Sequence, residues 1–120
     1  MKLILFVLHD PRRLGELLNA WKEAGASGAT VLFSTGMGRI RQEANLREDI
    51  PLMPSLEVFM PKVERLSRTV FTVLEDETVV DKIIAATEGV VGDLCEPDRG
   101  LLIVMPVDRI YGLRSDDRNK

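Results

Sequence analysis

Cysteine and histidine, the residues that most often form disulfides and transition-metal sites, are nearly missing from this chain. Its 120 residues contain one cysteine, Cys95, and one histidine, His9. One thiol cannot form a disulfide within a single chain, and one histidine with one cysteine offers too few ligands for a transition-metal site. We therefore expect no bound metal, and the reducing cytoplasm is the predicted location.

A strong charge of one sign and long apolar runs are missing as well. The formal net charge of −3 gives no electrostatic reason to expect nucleic acid as a partner. No apolar run approaches the roughly 20 residues that cross a bilayer, so any membrane contact would be indirect, through a membrane protein partner. Residues 2–8 are too short for a signal peptide and lack a cleavage site. Length and composition instead predict one globular domain over residues 1–120.

What the chain does contain is a set of short apolar segments typical of buried strands. Residues 2–8 are apolar at nearly every position, which favours a strand covered on both faces. The third segment is rich in β-branched side chains, which suit a strand. The four segments predicted as strands are residues 2–8, 29–35, 68–74 and 100–106.

Two segments between these strands have helical spacing. After Asp10, a residue type that caps helix starts, apolar residues recur every three or four positions until Gly25 or Gly28 ends the pattern. Asp76 is predicted to cap a second helix that ends near residues 89–92. Each half of the chain therefore repeats one plan: a strand, an aspartate-capped helix, a glycine stop and a returning strand.

This repetition predicts a doubled βαβ unit, the ferredoxin-like α+β fold, with an antiparallel sheet and both helices on one face. The other face would then be wet, yet the first and fourth predicted strands are apolar on both sides. An uncovered apolar face is an association surface, so we expect an oligomer. The alternative is that the long middle segment of the chain folds back over this face.

That middle segment, residues 36–67, is long for a connection in a compact domain, and such connections are usually functional or disordered. Its charges alternate in sign, so we expect a solvated, flexible loop. At its start, Gly36, Met37, Gly38 and Arg39 would form a concave run of backbone N–H groups that binds an anion, with the arginine as the charged partner. A tight turn or a bulge at the sheet edge explains the two glycines about as well.

A second candidate anion-binding region follows the second predicted helix. Gly92 and Asp93 begin a turn that leads past Arg99 into the fourth strand. In a doubled βαβ unit, this turn and the end of the second strand can come together across a subunit boundary, where Arg99 and Arg114 would join Arg39. The alternative for each arginine is an exposed side chain that serves solubility.

No group of residues forms a convincing catalytic constellation. His9 lies between a strand and a capped helix, where a solvated turn residue is the more common explanation. Carboxylates at positions 93, 96 and 98 flank Cys95 and disfavour its thiolate. The acidic residues at the two helix starts are explained as caps and first-turn charges. We therefore expect no catalytic residues and a protein that is not an enzyme.

Several short motifs, taken in order along the chain, resemble those of the PII signal-transduction family of nitrogen regulatory proteins. The motifs are Gly28-Ala29-Thr30-Val31, Gly36-Met37-Gly38-Arg39, Phe59-Met60-Pro61-Lys62-Val63, Gly92-Asp93, and Val107-Asp108-Arg109-Ile110 with Arg114. The resemblance covers essentially the whole chain. It implies a ferredoxin-like homotrimer with the strands on its inner wall and nucleotide sites in the clefts between subunits. It also implies that the loop at residues 36–67 changes conformation with ligand and contacts a partner protein.

Three departures from the family pattern bear on the ligand. Ile40 stands where the family has a glutamine associated with ATP and 2-oxoglutarate binding. Gly92-Asp93-Leu94-Cys95 replaces a phosphate-binding glycine-aspartate-glycine-lysine turn, and Gly112 replaces one of two arginines, of which Arg114 matches the other. Fewer charge-assisted phosphate contacts weaken the binding of a triphosphate. The predicted ligand is therefore ADP, AMP or cyclic AMP rather than ATP.

The leading hypothesis is a cytoplasmic PII-like sensor that binds a small anionic ligand between residues 36–39 of one subunit and residues 92–100 with Arg114 of another. A structural or metal-handling trimer resembling the divalent-cation tolerance proteins shares the architecture and is the first alternative. A small hydrolase on the same fold is a further alternative, which would need a positioned base or nucleophile. The predicted domain spans residues 1–120, with a C-terminal tail at residues 114–120.

Overall fold

The computed structural model describes residues 1–37 and 66–113. Within these ranges the chain forms four strands and two α-helices. Their bounds are β1 Lys2–Leu8, α1 Leu14–Ala24, β2 Thr30–Ser34, β3 Ser67–Leu74, α2 Thr78–Val91 and β4 Leu101–Pro106. Each of these elements was predicted from the sequence, and the observed ends differ from the expected ones by a few residues at most.

The four strands form one antiparallel sheet in the order β2-β3-β1-β4. Leu5 of β1 pairs with Phe71 of β3 on one side and with Ile103 of β4 on the other. Val31 of β2 pairs with Val70 of β3. The inner strands are thus β1 and β3, and the edges are β2 and β4. Together with the two helices on one face, this order confirms the predicted ferredoxin-like α+β fold.

The core lies between the two helices and one face of the sheet. Alternate residues of β1 point toward the helices, as the two-residue period of a strand requires. Leu17 and Trp21, one helical turn apart, supply the buried side of α1. Burying one large apolar side chain stabilises a fold by roughly 1.5–3 kcal/mol. The buried hydrophobic cluster contains Ile4, Phe6, Leu8, Leu17, Trp21, Ala26, Val70, Leu74 and Ile83.

A buried hydrogen bond joins the two helices inside this core, and a second one within α2 orients its acceptor. The indole N–H of Trp21 donates to Oγ1 of Thr87 at 2.9 Å, and the Thr87 hydroxyl donates to the carbonyl of Ile83 at 2.8 Å. Trp21 and Thr87 are almost completely buried, so neither polar group reaches water. The threonine therefore satisfies the tryptophan N–H that burial would otherwise leave without a partner.

The predicted aspartates lie just before both helices, but neither α-helix begins directly after its aspartate. Asp10 caps a separate short turn, and the N-cap position of α2 is Glu77, whose side chain makes no capping hydrogen bond. Asp10 accepts hydrogen bonds from the backbone N–H of Arg12 and from its guanidinium, which hold the pKa of the Asp10 carboxyl below its usual value. The residues Pro11–Arg13 form a 3₁₀ turn, and α1 starts only at Leu14. At α2, hydrogen bonds from the hydroxyl and backbone N–H of Thr78 lower the pKa of Asp76 in the same way.

The face of the sheet opposite the helices is apolar, as the sequence predicts. It carries one set of paired side chains: Leu3, Leu5 and Val7 of β1, Phe71 and Val73 of β3, and Leu101, Ile103 and Met105 of β4. On the edge strand, Leu101 is 56% exposed and Met105 is 41% exposed. Neither helix covers this face, which we call the open face.

The connection between β2 and β3 falls mostly outside the described residues. Its last predicted residue, Ser67, is in fact the first residue of β3 and pairs with Ser34. The predictions of a flexible loop over residues 36–67 and of a tail at residues 114–120 otherwise concern parts of the chain that the structure does not describe. The same holds for the alternative in which this loop covers the open face.

Candidate ligand site

The loop between α2 and β4, residues 92–100, is built by hydrogen bonds at the end of the helix. Gly92 has a φ of +95° and donates its N–H to the carbonyl of Glu88 at 2.9 Å. The Glu88 carboxylate then accepts the N–H of Leu94 at 3.1 Å, and the Asp93 carboxylate accepts the N–H of Cys95 at 2.8 Å. Two side chains thus accept hydrogen bonds from backbone N–H groups of the turn.

Arg99 folds back onto this loop instead of extending into solvent. Its Nη2 lies 3.1 Å from a carboxylate oxygen of Glu96, and its Nη1 donates to the carbonyl of Val91 at 3.4 Å. The guanidinium also lies beside Gly92, where an added Cβ would come within 3.4 Å of Nη1. Gly92 and Arg99, predicted as parts of one binding region, therefore lie in direct proximity.

A second arginine reaches the same helix end from a distant part of the chain. Nη1 of Arg13 donates to the carbonyl of Val90 at 2.7 Å, across 77 residues of sequence. The last turn of α2 contains no basic residue. Arg13 and Arg99 therefore supply the positive charge that favours the C-terminal end of a helix dipole.

The two arginines border a small cavity of about 190 Å³. Asp98, which lines the cavity, has a φ of +64°, a left-handed conformation that is uncommon for a residue other than glycine. Two arginines, two aspartates and a histidine give the walls a mixed charge, so the cavity suits a small polar group that pairs with an arginine. Its lining residues are Leu8, His9, Asp10, Arg13, Val91, Asp98 and Arg99.

A larger cavity, of about 570 Å³, opens at the start of β2, and sequence reasoning did not identify it. Its walls come from residues 27–30, from residues 71–73 of β3 and from residues 110–113. Phe71 and Tyr111 give it aromatic side chains, and Tyr111 is 85% exposed. Such walls suit a flat, partly apolar ring, with backbone groups available for hydrogen bonds.

The structure places the predicted site residues in two separate groups. Gly36 and Met37 follow the end of β2, whereas Gly92, Asp93 and Arg99 precede β4. Both groups lie at the same end of the sheet. Ser34, the last residue of β2, pairs with Ser67 at the start of β3. The start of β3 and the start of β4 both pair with the end of β1. They lie at opposite edges, however, three strand spacings or about 14 Å apart. The predictions for Gly38, Arg39 and Arg114 fall outside the described residues.

Other candidate chemistry is limited in the described part of the chain. No three His, Cys, Asp or Glu side chains among these residues are grouped as metal ligands would be. Cys95 is an exposed free thiol. No helix in residues 1–37 or 66–113 is long and apolar enough to span a membrane.

The strand order, together with the position of both helices on one face of the sheet, defines the class of the protein as ferredoxin-like α+β. Within that class, the family model of nitrogen regulatory protein P-II matches residues 1–117. Because the match covers nearly the whole chain, the chain belongs to the P-II family, whose members are regulatory proteins. The comparison with curated proteins found no match.

Proposed function

We propose that this P-II family member binds a small anionic ligand, an adenine nucleotide with fewer phosphates than ATP, between the subunits of a homotrimer. Ligand binding changes the population of conformations of residues 36–67, and this change signals to a partner protein in the cytoplasm. The ligand must bind the two conformations with different affinity, because otherwise it shifts nothing.

The observation that carries the proposal is the division of the candidate site between the two edges of the sheet. Gly36 and Met37 lie at the β2 edge and Arg99 at the β4 edge, about 14 Å apart at the same end. A single phosphate group cannot contact both of these groups within one subunit. A second subunit that sets its β4 edge beside the β2 edge of the first brings them together, so the ligand site requires the assembly.

The open face supports association independently. A contiguous apolar surface on a sheet is unusual in a monomeric protein and is characteristic of an interface. Ile103 and Met105 at the β4 edge are 37% and 41% exposed, and Leu32 at the β2 edge is 51% exposed. Apolar side chains of this face thus reach both edges of the sheet, where neighbouring subunits would meet, although Thr69 lies opposite Leu32 at the β2 edge.

The cavities support the choice of ligand. The cavity of about 570 Å³ has the size and aromatic walls that suit a nucleobase. It opens at the start of β2, one strand length from Gly36, whereas Arg99 borders a separate, smaller cavity. An arginine is well suited to a phosphate because its fork of N–H groups matches the phosphate oxygens. The missing family lysine and arginine leave fewer cations for a triphosphate, which favours AMP, ADP or cyclic AMP.

Nucleotide binding can be tested by a thermal-shift panel with AMP, ADP, ATP, cyclic AMP and divalent metals, followed by calorimetric titration. A ligand at about 100 times its dissociation constant stabilises the folded state by roughly 2.7 kcal/mol. We expect ADP, AMP or cyclic AMP to raise the melting temperature, and Arg99→Gln to weaken this effect.

Lys82→Gln is the matched control, because it removes the same charge from an exposed position near the other end of α2. It should leave the nucleotide effect unchanged. The proposal fails if no nucleotide shifts the melting temperature and none gives binding heat. A shift produced by a divalent metal alone would favour the metal-handling alternative instead.

A further inference from the structure

Arg99, the described arginine of the proposed site, already has an anionic partner within its own loop. Its Nη2 lies 3.1 Å from Oε2 of Glu96, a distance that is both an ion pair and a charge-assisted hydrogen bond. Phosphate oxygens bind arginine through the same N–H groups. A phosphate that approaches Arg99 therefore meets a guanidinium whose outer nitrogen is occupied.

The backbone of the loop brings these two side chains together. Glu96 and Arg99 are three residues apart but belong to no helix, because α2 ends at Val91. The chain turns between them at Pro97-Asp98, and Asp98 adopts the left-handed φ of +64° that this turn contains. Aspartate is one of the few residues other than glycine that adopt this conformation readily, so the pairing depends on this turn and not on regular helical spacing.

The rest of the Arg99 side chain is anchored as well. Nη1 donates to the carbonyl of Val91, and the guanidinium lies beside Gly92, a position that has no side chain to displace it. With these contacts Arg99 remains at the border of the cavity of about 190 Å³ while Glu96 holds its other nitrogen. The Arg99 side chain is thus held in place, while the anion bound to its Nη2 can be replaced by another.

We propose that Glu96 is an internal competitor of the ligand's phosphate for Arg99 and thereby sets the affinity of the site. This inference rests on the proposed function. The phosphate takes the place of the Glu96 carboxylate on Nη2, and the carboxylate turns to solvent. Glu96 is 56% exposed at its side chain, so it can leave without crossing packed structure.

The test compares three variants that each remove one negative charge: Glu96→Gln, Asp98→Asn and Glu77→Gln. Asp98 belongs to the same loop and lines the same cavity, so Asp98→Asn measures the direct repulsion of an anion by a nearby carboxylate. Asparagine also tolerates a positive φ. Glu77 lies at the opposite end of α2 and serves as the distant control.

Dissociation constants for ADP and for pyrophosphate are measured by calorimetry at fixed salt concentration. Glu96→Gln should tighten binding roughly two- to fivefold, the range for loss of an exposed ion pair. The gain should exceed that of Asp98→Asn, and Glu77→Gln should match the wild type. Detectable binding by Glu96→Gln where the wild type shows none would support the inference in the same way.

Two results overturn the inference, and they are distinguishable. If the wild type binds ADP or pyrophosphate and Glu96→Gln gains no more than Asp98→Asn, then Glu96 acts only by general repulsion and the proposed function stands. If neither the wild type nor Glu96→Gln binds either probe, the proposed function fails and the role of Glu96 fails with it. Unchanged Trp21 fluorescence in each variant verifies that the core is intact.

Discussion

A methyl group added at Gly100, where the loop after α2 enters β4, should destabilise the protein strongly. Gly100 has a φ of +118°, which side chains rarely allow. A Cβ there would lie 2.6 Å from Cζ of Phe6 and 2.7 Å from the carbonyl oxygen of Val7. Phe6 is completely buried, and the Val7 carbonyl belongs to the backbone of β1, so neither atom can move aside without disturbing the core.

The expected magnitude follows from two costs and one offset. Left-handed backbone strain costs roughly 1–2 kcal/mol, and overpacking a filled core costs roughly 1–3 kcal/mol. Alanine also restricts the unfolded chain, which offsets about 0.4–1 kcal/mol. We therefore expect Gly100→Ala to lower the free energy of unfolding by roughly 1–4.5 kcal/mol.

Gly112→Ala is the matched control. Its φ is +89°, yet nothing lies within 4 Å of the added Cβ, so only the backbone strain remains. The loss for this variant should be about 1 kcal/mol or less. Urea unfolding followed by Trp21 fluorescence measures both variants, at one protein concentration because association changes apparent stability. Equal losses for the two variants would refute the reasoning, because the close approach to Phe6 would then cost nothing.

Three further predictions concern the hydrogen bond between the helices, the Asp76 carboxylate before α2, and the open face. Thr87→Val removes the acceptor of the Trp21 N–H and should lower the free energy of unfolding in urea by about 1–3 kcal/mol. Thr87→Ser keeps the hydroxyl and should lower it clearly less. Similar losses for the two variants would argue against a stabilising role of this hydrogen bond. Because hydrogen bonds from Thr78 lower the pKa of Asp76 below its ordinary value, this carboxylate stabilises the fold above the ordinary pKa, and the effect is lost as the pH falls through the lowered pKa. Asp76→Asn should therefore reduce the acid-induced fall in the urea midpoint, and an unchanged fall would contradict this assignment. Ile103→Glu on the open face should convert the proposed oligomer to a monomer in sedimentation, with Trp21 emission preserved. An unchanged oligomeric mass would show that the open face is not the interface.

The fold was predictable from the sequence because its signals are local. The apolar residues of β1 and the helical spacing of Leu17 and Trp21 each depend on a few neighbouring side chains. The start of α1 was less accessible, since Asp10 caps a 3₁₀ turn and the α-helix begins only at Leu14. A proline next to a capping residue is compatible with either kind of first turn, so the sequence did not distinguish them.

The candidate site was predictable only in part. Gly92 and Arg99 were recognised as neighbours in a turn, and their proximity is confirmed. The contribution of Arg13 was not foreseen, because it reaches the carbonyl of Val90 from 77 residues away. The cavity of about 570 Å³ was missed for the same reason: residues 110–113 form no periodic pattern, and their path toward the start of β2 depends on the tertiary structure.

The position of β1 inside the sheet has a consequence for the order of folding during synthesis. Of the four strands, β1 leaves the ribosome first, but its partners are β3 and β4, which pair Lys2 with Leu74 and with Pro106. Bringing such distant strands together costs conformational entropy before their pairing stabilises the chain. Until those partners emerge, β1 has no strand of its own chain to pair with. The nascent chain therefore exposes this apolar strand until β3 emerges, and the sheet is completed only when β4 is available.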